Sequence, residues 1–360
     1  MSLLSIVIPV YNAEDVLSCS MNSLLNQTVK DFDIILVDDG STDNSAKICD
    51  KYSNDNERVS VVHKTNGGLA SSRNAGIKAA RTEYIAFLDA DDFFSETFVE
   101  DVLEIIKNYN PDCIYFGWQY VTKEGIQPGK IADLTKNVIL DKDYLHKVII
   151  PPMLNLIDDK DHFIDNFAWN KIYRTDLIKQ YSVAFDENRR IWEDRVFVVE
   201  YLRYCDTFYC MDKAYYNYVQ VAGSLASKYY LNMFDIVLDS YNKYFKWFSG
   251  EYDFNTSFAN TYYCHVIENV IYRSLEQSDY TEEIHANIIR TLKNENVVSW
   301  YQNRVPENVN EMRLSQYVLN QEYEEAIQLY RSIFIKQKRI SKKQNRIFSI
   351  KSKIKHILGR

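Results

Sequence analysis

Asp89 and Asp91 stand two positions apart in Leu88-Asp89-Ala90-Asp91-Asp92, directly after the apolar run Tyr84-Ile85-Ala86-Phe87-Leu88. Such a run reads as a buried strand, so the acids fall where that strand leaves its sheet. Alternate residues of an extended chain point the same way, and two carboxylates on one side can converge on a hard divalent cation. A cation held by two carboxylates keeps coordination positions open, which suits a diphosphate. An acidic turn or a helix cap would use the same residue types, so the rest of the chain must separate these readings.

Three further stretches place polar residues after an apolar run. Ile8-Pro9-Val10-Tyr11-Asn12 can present Tyr11 and backbone groups to a planar base, or can turn the chain into a helix. In Val37-Asp38-Asp39-Gly40-Ser41, an ionised Asp39 can accept the N3–H of uracil, where cytosine offers only an acceptor; Asp or Ser here can equally cap the next helix. In Asn66-Gly67-Gly68-Leu69-Ala70-Ser71-Ser72-Arg73-Asn74-Ala75-Gly76, Gly68 and its neighbour permit close backbone approach to a ligand. A helical Arg73 can then bind a diphosphate or the base, or lie on the helix surface.

The elements that must position these residues alternate regularly. Strand-like runs at Leu4–Val10, Phe32–Val37, Val59–His63 and Tyr84–Leu88 are separated by segments with helical spacing, among them Ser71–Ala80. That alternation predicts an α/β fold with a mainly parallel sheet and helices on both faces. In an open parallel sheet, ligands bind beyond the carboxyl ends of the strands, where all four stretches fall. From about residue 225 Gly and Pro nearly vanish, and Leu314, Tyr317, Val318, Ala326, Ile327 and Tyr330 keep helical spacing. The expected division is therefore a catalytic domain over 1–224, an α-helical C-terminal domain over 225–330 and a basic tail over 331–360.

Each motif is common alone; their order, each after a successive apolar run, is not. Together Ser5–Asn12, Ile35–Asp43, Asn66–Gly76 and Phe87–Asp92 resemble the family 2 glycosyltransferases of the GT-A fold, of the bacterial surface-polysaccharide type. The close resemblance covers residues 4–118 and a looser one reaches about 225. It implies inverting transfer of a sugar from a nucleotide diphosphate, usually UDP, to a hydroxyl of a glycan or lipid-linked glycan acceptor. It also implies that Asp89 and Asp91 contact the ribose and bind Mn2+ or Mg2+, and that Asp39 binds uracil. Pro9, Tyr11, Asn12, Gly68, Arg73 and Ala90 then fall on the donor side. Inverting transfer needs a base for the acceptor hydroxyl. Ile191-Trp192-Glu193-Asp194-Arg195-Val196-Phe197 is similar to the family's Glu-Asp motif, a likeness that implies Asp194 as that base and Glu193 as its support or as a group that orients the acceptor.

Two later segments are similar to the family with departures. Tyr215–Ser224 lies where members contact donor phosphates, but Val219 stands where an Arg is common, leaving Ser224 and Lys228 for that task. Phe167-Ala168-Trp169-Asn170-Lys171-Ile172-Tyr173-Arg174 resembles a stretch near the acceptor, although core packing by Trp169 and Tyr173 explains it as well.

Composition bounds the rest. The 360 residues are 46% hydrophobic and 26% charged, ordinary for a globular protein. No run approaches the roughly 18–20 apolar residues that span a bilayer, and the amino terminus lacks a basic secretion-signal region, so a cytoplasmic location is expected. The six cysteines lack Cys-x-x-Cys or matched His spacing, against a zinc site or disulfide framework. A dehydrogenase would want Gly-x-Gly-x-x-Gly where Pro9–Asn12 stands, and a processive membrane polymerase would want spanning helices and Gln-x-x-Arg-Trp. A non-catalytic sugar-binding scaffold has no need of a metal pair plus a base. Nothing points to nucleic acid. Residues 331–360 hold eleven Lys or Arg and no acid, although the whole chain carries −8. Ile340, Ile347, Ile350, Ile354 and Ile357 lie near one helical face there, so an anionic membrane surface at the inner face of the cell membrane is the expected partner, with a disordered basic tail or a protein-binding helix as the alternative.

Overall fold

The structure is a computed structural model and describes residues 2–122, 125–130, 137–220, 230–277, 280–336 and 338–339. The chain divides into two compact units, one of Met1–Leu154 with Asp158–Ala226, the other of Asn155–Ile157 with Ser227–Arg360.

The first unit is built on strands β1 (Leu4–Val10), β2 (Asp33–Asp38), β3 (Val59–His63), β4 (Tyr84–Phe87), β5 (Phe93–Phe94), β6 (Cys113–Thr122), β7 (Gly125–Lys130), β8 (Val138–Asp141), β9 (Lys171–Arg174) and β10 (Thr207–Val219). They form one sheet of order β3-β2-β1-β4-β9-β6-β10-β5, with β7 beside β6 and β8 beside β10. The four strands legible as apolar runs are its parallel part. Beyond β4 the sheet is mixed: β9 runs antiparallel between β4 and β6, and β10 returns parallel to β6. Every residue of β1 is buried, which is why it reads as a continuous apolar run rather than an alternating one.

Helices α1 (Leu17–Leu25), α2 (Ser45–Asp55), α3 (Leu69–Ala79) and α4 (Phe98–Tyr109) follow the early strands. The α3 helix packs on β1 and β2, and Gly76 is what lets it come close: a Cβ there would lie 2.2 Å from Val7 Cγ1. The order β3-β2-β1-β4 reverses its progression between β1 and β4, the place where an open α/β sheet leaves a crevice. Val7 is the last β1 residue paired with β4, whereas pairing with β2 continues to Val10. The end of β1 therefore borders an opening on the β4 side.

The second unit is helical: Met233–Phe248, Ser257–Leu275, Glu282–Leu292, Glu295–Asn303 and Val309–Leu319, with residues 323–336 also helical. Thr256, Thr281, Asn294 and Asn308 accept backbone N–H groups as N-caps, fixing where these helices begin. Leu314, Val318, Ala326, Ile327 and Tyr330 are buried, as their spacing predicts, and Tyr317 is half-buried. Arg304, its side chain closed to solvent, pairs with Glu268 at 2.6 Å and Glu311 at 2.9 Å. Among the described residues no helix is long and apolar enough to cross a membrane. The six cysteines are free, five of them buried. Residues 340–360, which carry the amphipathic reading of the tail, lie outside the described residues, as do Ser224 and Lys228.

Candidate active site

Leu88 donates its N–H to Val7 at 3.0 Å, and the chain then leaves the sheet at Asp89. Ala90 and Asp91 form the turn, which the Asp92 N–H closes onto the Asp89 carbonyl at 3.1 Å. Asp92 is buried and accepts from the Tyr216 hydroxyl at 2.6 Å and the Val219 N–H at 2.7 Å. The Tyr216 oxygen in turn lies 3.4 Å from the Asp89 nitrogen. The acidic turn is thus pinned to β10 by its fourth member, while Asp91 is exposed. Burial, then the charge of Asp89, pushes the Asp92 carboxyl up to about 8.

Arg73 lies four residues inside α3 and is only 1% exposed. One guanidinium nitrogen donates to Asp89 at 3.0 Å and another to Asp194. Phe185 and Phe87 lie against the same group, their ring centres 5.4 and 5.9 Å from its central carbon. Those two rings pack edge to face at 5.5 Å, and Phe185 stacks on Phe197 at 3.9 Å. These rings help close the guanidinium off from water, while the two carboxylates stay partly exposed. Burial raises the Asp89 carboxyl against the opposing pull of Arg73.

Asp194 sits in the first turn of the helix Glu193–Leu202, where the helix dipole favours an acid. Trp192, just before it, has φ of 61°, a left-handed conformation that costs a non-glycine residue about 1–3 kcal/mol and sets the angle at which the helix begins. The Asp194 oxygen not facing Arg73 accepts the Ala168 N–H at 3.0 Å. Burial, then the charge of Asp194, pushes the Glu193 carboxyl up to about 7. Asp89, Arg73, Glu193 and Asp194 therefore form one cluster from three separate elements.

The loops after β1, β2 and β3 interlock beside it. Asp39, 3% exposed, accepts the Gly67 N–H at 3.0 Å and the Gly68 N–H at 2.7 Å, and pairs with Lys64. Gly68, at φ of 87°, takes a backbone conformation other residues avoid and opens α3. One end of α3 is thereby held by Asp39 while Arg73 reaches Asp194. Asn12 accepts the Thr42 N–H at 2.8 Å and its own N–H bonds Ser41 at 3.1 Å, whereas Tyr11 is 51% exposed.

The structure gives several of the expected donor-side residues partners within the protein. Arg73 points inward to two carboxylates, on a helix that packs on β1. Asn12 ties two loops together, and Pro9 is buried within β1. The Asp39 carboxylate organises the glycine loop with most of its acceptor capacity. Asp92, Tyr216, Lys64 and the Ala168 N–H were not anticipated. Adjacency to Asp91 was a readable signal for Asp92, but a backbone donor such as Ala168 leaves no residue-type signature.

Whether the acids fit a divalent metal can be judged from their donor set. Asp91 is exposed, and Asp89 offers Arg73 only one of its two oxygens. Two hard carboxylate ligands with no third acid suit Mn2+ or Mg2+ completed by phosphate oxygens and water. Among the described residues no group of three or more His, Cys, Asp or Glu gathers to form a closed metal cage.

Comparison with known proteins agrees with this geometry. The glycosyl transferase family 2 model matches residues 5–182. Residues 5–182 belong to glycosyl transferase family 2. The chain is 33% identical over 225 residues to the uncharacterized glycosyltransferase EpsJ of Bacillus subtilis, a match covering 62% of each chain. It is 28% identical over 232 residues to TarS of Staphylococcus aureus, a poly(ribitol-phosphate) beta-N-acetylglucosaminyltransferase, covering 63% of this chain and 37% of TarS. The chain thus spans less than two-thirds of the length of these curated relatives. The crystal structure of S. aureus TarS 1-349 in complex with UDP-GlcNAc superposes with a TM-score of 0.62 at 20% identity, covering 92% of this chain and 91% of that one. The fold is the GT-A fold followed by helices.

Proposed function

We propose that this protein is an inverting glycosyltransferase that moves a sugar from a UDP-sugar to a hydroxyl of a glycan acceptor, lipid-linked in surface polysaccharide synthesis. The observation that carries the reading is the Arg73 bridge, which joins the acids at the end of β4 to the acid at the start of a distant helix. A donor-side carboxylate and a separate base in one site are what inverting transfer requires. The TarS complex with UDP-GlcNAc and the named activity of TarS support a UDP-sugar donor and a cell-surface polymer acceptor.

Asp194 takes the proton of the acceptor hydroxyl as that oxygen attacks the anomeric carbon, and the bond to UDP breaks on the opposite face. Ala168 and Arg73 fix the carboxylate for that task. Glu193, with its raised pKa, holds a proton nearer neutrality and can donate a hydrogen bond to the acceptor. Tyr11 borders the opening at the end of β1, where a uracil ring would lie, and the Asp39 oxygen that accepts from Gly68 alone keeps a lone pair for uracil N3–H. Asp89 and Asp91 would hold Mn2+ or Mg2+, whose chemistry is to neutralise charge gathering on the departing diphosphate.

Residues 331–360, rich in Lys and Arg, would carry the protein to an anionic membrane surface on the cytoplasmic side, near a lipid-linked acceptor. The deciding experiment for the activity is UDP release from a panel of UDP-sugars with Mn2+ present. Wild type should release UDP from at least one donor and Asp194→Asn should release it at least about 100-fold more slowly; equal release from both would overturn the reading. For the tail, a chain lacking 331–360 should cosediment with phosphatidylserine vesicles less than the full chain does, and equal sedimentation would end that part.

A further inference from the structure

Lys171 opens β9 and is 0% exposed. Its ammonium donates three hydrogen bonds: to the Asp165 carbonyl at 2.6 Å, the Phe167 carbonyl at 2.9 Å and the Asn170 side-chain oxygen at 2.8 Å. All three acceptors lie in the loop immediately before it. Among the described residues Lys171 has no ion-pair partner, and the Tyr115 ring lies 5.4 Å from its nitrogen. A buried ammonium without a counter-ion is costly, and a core position of this kind would ordinarily carry an apolar side chain.

The loop so held performs two visible tasks. It delivers the Ala168 N–H to Asp194 at 3.0 Å, and it stacks Phe167 on Trp169 with ring centres 4.7 Å apart. Trp169 stacks in turn on Tyr216 at 4.0 Å, the residue whose hydroxyl supports Asp92. Trp118 braces the outer part of the loop through its indole N–H to Asp165 at 2.8 Å. Without the ammonium, the two loop carbonyls and the Asn170 oxygen would lose their common donor inside the protein. The Ala168 N–H would then no longer be fixed against the base.

We infer that Lys171 is a positioning residue for glycosyl transfer, holding residues 165–170 so that the Ala168 N–H orients the Asp194 carboxylate. This rests on the function proposed above. Lys171 does not touch substrate; it acts through the loop. Misplacing a reacting group by about 1 Å costs on the order of 100-fold in rate, so the effect belongs in kcat and not in donor affinity.

The test uses the full chain, with UDP release from the best donor of a UDP-hexose and UDP-N-acetylhexosamine panel, and UDP binding by calorimetry. Lys171→Met should lower kcat about 10- to 100-fold while UDP binding stays within twofold. If Lys171→Met fails to fold, Lys171→Gln, which keeps a hydrogen-bonding amide, serves in its place. Adding either change to Asp194→Asn should produce little further loss, because both act on one group. The alkaline limb gives a second readout: burial lowers Lys171 to about 8, with Cys113, Asp165 and Asp194 facing it. Wild-type kcat should therefore fall above about pH 8, and the variant should lack that fall. A kcat within twofold of wild type, or a full independent loss in the Asp194→Asn background, would overturn the inference and leave the proposed function standing. An inactive wild type with every donor would instead overturn both.

Discussion

Arg73 and Asp194, 121 residues apart in the chain, form an ion pair behind a wall of phenylalanines. The same guanidinium holds Asp89 at 3.0 Å. The planar guanidinium presents its donors in a rigid fork, so it fixes the geometry of two carboxylates at once, where a lysine ammonium is a compact charge on a flexible stem. The consequence is that Asp89 at the end of β4 and Asp194 at a helix start cannot move independently.

Removing that fork should therefore damage stability before it damages donor contacts. Arg73→Met leaves two partly buried carboxylates facing each other, and breaking such a pair costs about 3–5 kcal/mol. Because Asp194 and Asp89 keep 18% and 25% side-chain exposure, the lower end, about 3 kcal/mol, is expected. Arg73→Lys should recover part of it. Urea unfolding of the three proteins measures this; a loss under 1 kcal/mol in Arg73→Met would mean that water already screens the cluster.

Asp194→Asn keeps the shape and the acceptor for the Ala168 N–H but removes the base. Turnover should fall about 10²–10⁴-fold, the usual worth of general-base help. UDP affinity should stay within twofold if Asp194 acts on the acceptor, as proposed. Calorimetry beside initial rates separates the two effects. A variant that lost donor affinity in proportion to rate would place Asp194 among the donor contacts instead.

How far this site was legible in the sequence depends on what kind of group each residue contributes. Asp89 and Asp91 stand out because carboxylates follow an apolar run and strand ends define where a crevice can form, whereas Asp194 stands out only through the likeness of its Glu-Asp pair to the family motif. The parallel strands β1 to β4 were legible because burial on both faces gives uninterrupted apolar runs. The antiparallel return of β9 between β4 and β6 was not, since Lys171–Arg174 carries polar residues at both ends. The inward bonds of Arg73 to Asp89 and Asp194 were not legible, because spacing within a helix does not reveal what packs over it. Gly76 was the available clue: a helix that needs glycine to approach β1 holds its neighbouring residues inside the fold. The buried role of Lys171 left no residue-type signature either, as its acceptors are mainly backbone carbonyls.

His63, at the end of β3, bonds Asp38 at 2.9 Å and Asp50 at 3.0 Å. The hydrogen bond His63 donates to Asp38, then the one it donates to Asp50, raises its pKa above the ordinary value. Burial pushes Asp38 up, but hydrogen bonds from Ser41 and His63 outweigh it and leave Asp38 lowered. A raised histidine binds its proton more tightly in the folded state. Its contribution is thus complete below about pH 6.5 and disappears as pH rises through the raised value. With the ring 45% exposed, the effect should stay under about 1 kcal/mol. Melting of wild type and His63→Gln between pH 5.5 and 9 should show a stability gap that closes at the alkaline end. A gap constant with pH would assign the loss to packing.

Asp91 offers the cleanest test of the metal proposal because it is exposed and lies outside the Arg73 bridge. Asp91→Asn removes a charged ligand without leaving a buried group unpaired, so the melting temperature without metal should barely change. Turnover should fall by at least about 10²-fold, and saturation with Mn2+ should require a higher concentration. In wild type, EDTA should abolish UDP release and added Mn2+ or Mg2+ should restore it. Asp89 cannot serve for this test, because its substitution also releases Arg73 and confounds metal loss with destabilisation. Undiminished wild-type activity in EDTA would remove the metal from the mechanism and leave Asp91 to act directly on the donor.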